Sequence, residues 1–333
     1  MIKQAESVLI DVRSPSEYEQ GHIPGAVSIP LFNDEERHKV GLTYKQKGKE
    51  AAIALGLELT SPKFDSYVNQ LRTHCSEQSK IQVYCWRGGM RSASMCWLFN
   101  QHGVKAKTIV GGYKAWRRLI RSEFESNRKL FVLSGLTGCA KTEVLHELKM
   151  LGELVIDLEG LANHRGSAFG SRGKQPSNEH FHNLLGNELM KLDPTEPTWI
   201  EDESKSVGNV RIPDEFKVLM NKSVLVDIVK DFDDRVEFLC NSYGLEMQSD
   251  LIDGFRRISK KMGGQHAKAA IEALQNNDLK TACELALTYY DRTYQFARNR
   301  SNRKPNHVED SSGLTPKQTA EKLLEWKNQN SLS

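Results

Sequence analysis

The stretch Tyr84-Cys85-Trp86-Arg87-Gly88-Gly89-Met90-Arg91-Ser92 combines a thiol, two guanidinium groups and a glycine pair within nine residues. Ile81 to Tyr84 read as the end of a buried strand and Ser94 to Phe99 as a helix, which puts Cys85 at a strand-to-helix turn. Gly88 and Gly89 let the backbone curl so that successive N–H groups converge above the sulfur. Arg87 and Arg91 add charge and planar donors suited to an oxyanion, and the following helix adds the positive end of its dipole. A thiol in such a field ionises readily, as reactive cysteines require.

A second phosphate-type loop lies downstream. Leu130 to Leu133 form an apolar strand running into Gly135-Leu136-Thr137-Gly138-Cys139-Ala140-Lys141-Thr142, the pattern of a phosphate-binding loop opening a helix. Turn amides contributed by Gly135, Thr137 and Gly138 wrap a diphosphate, Lys141 reaches its outer oxygens, and the Thr142 hydroxyl can hold magnesium. Ala140 stands where the pattern has glycine, a methyl group that could narrow the cradle. Orienting a metal takes a carboxylate, and Thr198-Trp199-Ile200-Glu201-Asp202-Glu203 supplies them at a strand end, through Asp202 or Glu201. The metal expectation is magnesium on Thr142 and Asp202. Leu154 to Leu158 make another strand, whose end carries a Gly-spaced loop with Asn163, His164 and Arg165. Ligands bind beyond the carboxyl ends of parallel strands, so that loop should face the cleft of Lys141.

These loops need scaffolds, and the chain has room for two. At 333 residues it is long for one core. We read a domain over 1–124, a second α/β domain over 128–230, and a helical, basic region over 231–333. A net charge of +3 leaves any nucleic-acid affinity to local clusters. Mean hydropathy of −0.54 and the lack of a long apolar run exclude a membrane span, and Met1 to Ser7 does not read as a signal peptide, so a cytoplasmic protein is expected. The six cysteines show neither zinc spacing nor disulfide density.

Asp11-Val12-Arg13, then Glu17-Tyr18, Gly21-His22-Ile23-Pro24-Gly25-Ala26, the Cys85 loop and Gly111-Gly112-Tyr113-Lys114-Ala115-Trp116 resemble the rhodanese family. That resemblance implies a small parallel sheet flanked by helices, with Cys85 as the residue that carries a chalcogen atom and Asp11 and Arg13 near its cleft. An added helical piece from Asn33 to Leu57 carries Arg37, Lys45 and Lys47, readable as a solvated face or as a rim for a polyanion.

With a P-loop domain fused behind, and with Asn33-Asp34-Glu35-Glu36-Arg37, Leu158-Glu159-Gly160-Leu161-Ala162-Asn163-His164-Arg165 and Glu201-Asp202-Glu203-Ser204, the chain resembles the bacterial tRNA 2-selenouridine synthases. The fold implied is α/β, an N-terminal rhodanese-like domain plus a P-loop NTPase-like parallel sheet and a helical C-terminal extension. The activity implied is geranylation of the wobble 2-thiouridine of tRNA with geranyl diphosphate, followed by replacement of the S-geranyl group with selenium from selenophosphate, no cofactor being tightly bound. Cys85 matches the essential thiol of that family, with Arg87, Gly88, Gly89 and Arg91 around selenophosphate. The partners implied are tRNA and the enzyme that supplies selenophosphate. On the helical region, Arg256, Arg257, Lys260, Lys261, His266 and Lys268, and then Arg292, Arg298, Arg300, Arg303 and Lys304 with Tyr294 and Phe296, suit RNA phosphates and unstacked bases. The competing reading is a rhodanese-fused ATPase or kinase that passes persulfide sulfur to a protein or small molecule.

Overall fold

The computed structural model describes residues 7–76, 79–164, 173–242, 248–301 and 303–330. The chain divides into two compact units, one of residues 1–123 with 177–187 and one of 124–176 with 188–333.

The first unit is built on four parallel strands, β1 (Ser7–Asp11), β2 (Val27–Ser28), β3 (Lys80–Tyr84) and β4 (Ala106–Thr108), in the order β2-β1-β3-β4. Ile10, Ile81 and Val83 are fully buried, as a parallel sheet covered on both faces demands. Helices α1 (Pro15–Gln20), α2 (Asp34–Thr60), α3 (Phe64–Arg72), α4 (Met90–Gln101) and α5 (Gly112–Phe124) surround it. The added piece expected from Asn33 is α2: Asn33 caps it and Glu36 returns the bond to the Asn33 amide. Its interior breaks at Gly48, where φ is +86°.

Residues 178–187, the first turns of α8 (Asn178–Lys191), count with this unit although they follow the P-loop in sequence. Fully buried Asn183 explains the attachment, donating to His22 O (2.8 Å) and to the Tyr113 hydroxyl (2.7 Å) and accepting from Arg117 (2.6 Å). The Tyr113 hydroxyl donates in turn to Glu179 at 2.8 Å.

The second unit carries a five-stranded parallel sheet of β5 (Leu130–Gly135), β6 (Leu154–Ile156), β7 (Thr198–Glu201), β10 (Val224–Val229) and β11 (His307–Asp310), ordered β11-β10-β5-β7-β6, with a small hairpin of β8 (Ser206–Val207) and β9 (Val210–Arg211). Its helices are α6 (Lys141–Met150), α7 (Leu158–Leu161), α9 (Asp214–Lys222), α10 (Phe232–Ser242), α11 (Gln248–Met262), α12 (Gly264–Gln275), α13 (Leu279–Ser301) and α14 (Pro316–Asn330).

The helical C-terminal region is thus a bundle, α10 to α13, with its own core of Leu239, Phe255, Leu274 and Leu287, inserted between two neighbouring strands of one sheet. The chain returns afterwards as β11, which the sequence analysis read as part of the helical tail. Four residues at an edge, alternately half-buried and exposed, carry little strand signal; pairing with β10 and the stacking of His307 on Trp326 (4.4 Å) decide the outcome.

Candidate active sites

In the first unit Cys85 follows β3 directly and is 4% exposed. The loop beyond it rests on the Gly111-Gly112-Tyr113 turn, whose Tyr113 and Lys114 amides donate to Cys85 O and Trp86 O, both at 2.9 Å. This contact is backbone on backbone. Gly88 (φ +66°) and Gly112 (φ +57°) both require glycine, since a Cβ would stand 2.5 Å from Ile109 O and 2.3 Å from Cys85 O respectively. Gly89, expected to share that role, has φ −96° and open space where a Cβ would be, so its identity is not dictated by the turn.

The sulfur has a partner that sequence reasoning missed. Ser92, fully buried in the first turn of α4, places Oγ 3.3 Å from Cys85 Sγ and 3.0 Å from Gly89 O. Burial pushes the Cys85 thiol up, but the Ser92 hydroxyl, the Ser92 and Arg87 amides and the charge of Arg91 outweigh it, so the thiol ionises below its ordinary value. Converging amides on the sulfur were expected; a hydroxyl seven residues on, at the Arg-Ser end of the motif, was the available signal for the rest.

The two guanidinium groups differ. Arg91 makes a two-pronged pair with Glu17, at 2.7 and 3.3 Å, and Arg37 reaches the same carboxylate at 3.7 Å. That pairing, outweighing burial, holds the Glu17 carboxyl below its usual value. Arg87 is exposed and makes no ion pair among the described residues. Asp11 and Arg13, expected in the cleft, are instead a sealed structural pair. Both are buried, the guanidinium bridges Asp11 (2.6 and 3.0 Å) and Gly21 O (2.7 Å), and it lies 3.9 Å above the Tyr113 ring. The open question about α2 resolves in parts: Arg37 and Lys45 line a cleft with Arg87 and Arg91, while Lys47 lies on the exposed face.

In the second unit the P-loop spans the end of β5 and the start of α6. Ala140 is left-handed, φ +58° and ψ +34°, so the methyl that replaces the pattern's glycine is carried at a cost in backbone strain. Gly138 is also left-handed (φ +86°), and a Cβ there would meet the Arg235 backbone oxygen at 3.0 Å. Arg235 of α10 donates to Thr137 O at 3.2 Å and is gripped by Asp291 of α13 at 2.7 and 2.8 Å, so the helical bundle anchors the loop. Lys141 Nζ folds onto Gly135 O (2.8 Å) and Leu136 O (3.3 Å), at the loop's centre. Burial opposes its charge, but Tyr294, Cys139, Glu203 and Glu159 raise its affinity for the proton, so the ammonium persists.

The carboxylates fall differently from expectation. Thr142 Oγ1 donates to Glu159 Oε2 at 3.0 Å, and Asp202 Oδ1 pairs with Lys217 Nζ at 3.5 Å. Glu201, at the end of β7, accepts the Leu158 amide at 2.8 Å, and its Oε1 has no partner among the described residues. Burial, reinforced by Asp157, Glu159 and Glu203, pushes that carboxyl well up, and burial with Glu159 pushes Glu203 up to about 7. The signal for Glu159 was its place just past a strand end facing the P-loop. His164 packs on the β8–β9 turn, where a Cβ on Gly208 would stand 2.6 Å from its ring; Arg165 lies outside the described residues.

On the bundle, Lys261, His266, Arg292, Tyr289 and Phe296 line a surface cleft of about 320 Å³, with Phe296 65% exposed. Arg303 is removed from the basic cluster by its bond to Ser223 O (2.6 Å), and the side chains of Arg298 and Arg300 lie outside the described residues.

A rhodanese-type thiol loop in one unit and a P-loop on a parallel sheet in the next define a P-loop protein with an appended rhodanese-like domain. The rhodanese-like domain family matches residues 1–119, and the family described as the tRNA 2-selenouridine synthase AAA domain matches residues 128–323, more than half of the chain. Three relatives named tRNA 2-selenouridine synthase come from Nitrosomonas europaea (35% identical, over 82% of this chain and 81% of that one), Marinobacter nauticus (32%, 86% and 87%) and Alcanivorax borkumensis (34%, 89% and 90%). The chain belongs to the tRNA 2-selenouridine synthase family. Among the described residues no helix is long and apolar enough to cross a membrane.

Proposed function

We propose that this chain is a transferase that remakes the wobble 2-thiouridine of tRNA as 2-selenouridine in two steps. The thiouridine sulfur first attacks C1 of geranyl diphosphate; selenium from selenophosphate, made by a separate enzyme, then replaces the S-geranyl group. Alkylation answers a chemical need, because a thiocarbonyl sulfur leaves poorly as sulfide and well as a thiolate.

The single observation that carries the reading is the pair of anion cradles of different chemistry, one closed over the Cys85 sulfur, whose thiol ionises below its ordinary value, and one centred on the charged Lys141. In the first step the P-loop amides and the Lys141 ammonium stabilise diphosphate as charge develops on it. Thr142 and Glu159 are an oxygen-donor set of the kind magnesium prefers, and the ion would neutralise diphosphate charge there. In the second step Cys85 receives or positions selenium, while Arg87 and the loop amides hold the phosphate oxygens. The basic and aromatic cleft around Phe296 suits tRNA phosphates and an unstacked base.

The test is mass spectrometry of tRNA nucleosides after incubation with both co-substrates and with each omitted. Omitting selenophosphate should leave S-geranyl-2-thiouridine, and omitting geranyl diphosphate should leave 2-thiouridine untouched. Selenouridine formed without geranyl diphosphate would overturn the two-step order.

A further inference from the structure

Between α2 and α4 the first unit opens a cleft of about 1250 Å³, above the volume of ordinary small-molecule pockets. Its walls are apolar, from Phe32, Val40, Ile53, Leu57, Trp97 and Leu98. Leu57 and Trp97 are 58% and 57% exposed, an unusual outlay of large apolar surface for a folded unit. The break at Gly48 divides α2 into two helical pieces, both of which contribute to the wall.

The charge of the same cleft has one sign. Arg37, Lys45, Lys49, Arg87 and Arg91 line it together with no aspartate or glutamate. Arg37 and Arg91 share Glu17, while Lys45, Lys49 and Arg87 have no ion pair among the described residues. An apolar trough with a cationic margin is complementary to an amphiphile, a long hydrocarbon chain tied to phosphates. Arg87, Met90 and Arg91 belong to the Cys85 loop, so the trough runs up to the place where selenium is handled.

We propose that this cleft seats the geranyl chain of the S-geranylated wobble nucleotide during selenium transfer, with the lysines and arginines on the flanking RNA phosphates. The inference rests on the two-step reading above and adds the location of the leaving group. Selenium of selenophosphate attacks C2, the C2–Se bond forms as the C2–S bond breaks, and geranylthiolate leaves with the electron pair and takes a proton from water. Water then cleaves the P–Se bond, releasing phosphate and the selenouridine, with no change of oxidation state. Holding the chain in the trough fixes C2 beside the thiol loop and keeps the departing thiolate aligned.

The experiment is equilibrium binding of labelled anticodon stem-loops to the full chain, carrying either 2-thiouridine or its S-geranyl form, read by fluorescence anisotropy. The geranylated RNA should bind at least tenfold more tightly, and the preference should vanish in Trp97→Glu and in Leu57→Glu, two exposed positions that provide independent variants. Excess geranyl diphosphate should leave the preference intact. Equal affinity for the two RNAs, or a preference retained in both variants, would overturn the proposal. So would a preference abolished by geranyl diphosphate, which would make the trough the donor's seat. Tight, chain-dependent binding with no selenouridine formed would overturn the two-step reading and leave the trough assignment standing.

Discussion

Ser92 Oγ lies 3.3 Å from Cys85 Sγ, two side chains seven residues apart brought together by the turn from β3 into α4. The hydroxyl is the side-chain group nearest the sulfur, which makes it the most direct handle on Cys85 reactivity. Ser92→Ala should shift the inflection of Cys85 alkylation against pH upward by about one unit and slow alkylation at neutral pH by about tenfold, the worth of one hydrogen bond to a charged group. The pH profile of iodoacetamide labelling, followed by peptide mass spectrometry at Cys85, checks this.

Ala140 sits in the left-handed region that a P-loop glycine would occupy without strain. Ala140→Gly should stabilise the second unit by about 0.5–1 kcal/mol, the relief of left-handed strain less the extra freedom glycine has when unfolded. Ala140→Val should destabilise it, because a β-branched residue fits that backbone worst. Urea midpoints for the three proteins give the order Gly, Ala, Val.

Arg13 and Asp11 form a buried pair capped by the Tyr113 ring. Removing one member leaves a buried charge, so Arg13→Leu should cost about 3–5 kcal/mol, whereas replacing both partners by apolar residues should cost less. A double-mutant cycle on thermal unfolding of the full chain measures the difference.

The His180 ring lies tilted against His22 at 4.0 Å, and burial together with the His22 ring lowers its pKa to about 4. In the unfolded chain it takes a proton near 6.5, so between those values the unfolded state holds more protons and stability falls as pH drops. The loss should reach about 1–2 kcal/mol by pH 4 after allowance for solvent at a half-buried ring, and should shrink in His180→Asn. Chemical denaturation at a series of pH values follows it.

Both phosphate-type loops were readable because each compresses its chemistry into a short run: the thiol, glycines and arginines after β3, and the lysine and threonine after β5. What escaped was set by contacts distant in sequence. Glu17 meets Arg91 across 74 residues, and Glu159 meets Thr142 only because β6 and β5 lie one strand apart in a shared sheet. Asp11 and Arg13 read as cleft residues from the sequence, and only the Tyr113 ring closing over the guanidinium shows them to be scaffold. The edge strand β11 and the attachment of residues 178–187 to the first unit follow from pairing and from Asn183, neither of which has a local signature.

The central claim, that alkylation and selenium transfer use separate cradles, is tested by a crossed pair of variants assayed on two RNAs. By nucleoside mass spectrometry, Lys141→Ala should fail to geranylate 2-thiouridine tRNA yet convert pre-geranylated tRNA to selenouridine, while Cys85→Ser should geranylate and then stop. If either substitution abolishes both reactions in a folded protein, or Cys85→Ser makes selenouridine at the normal rate, the division of labour is contradicted.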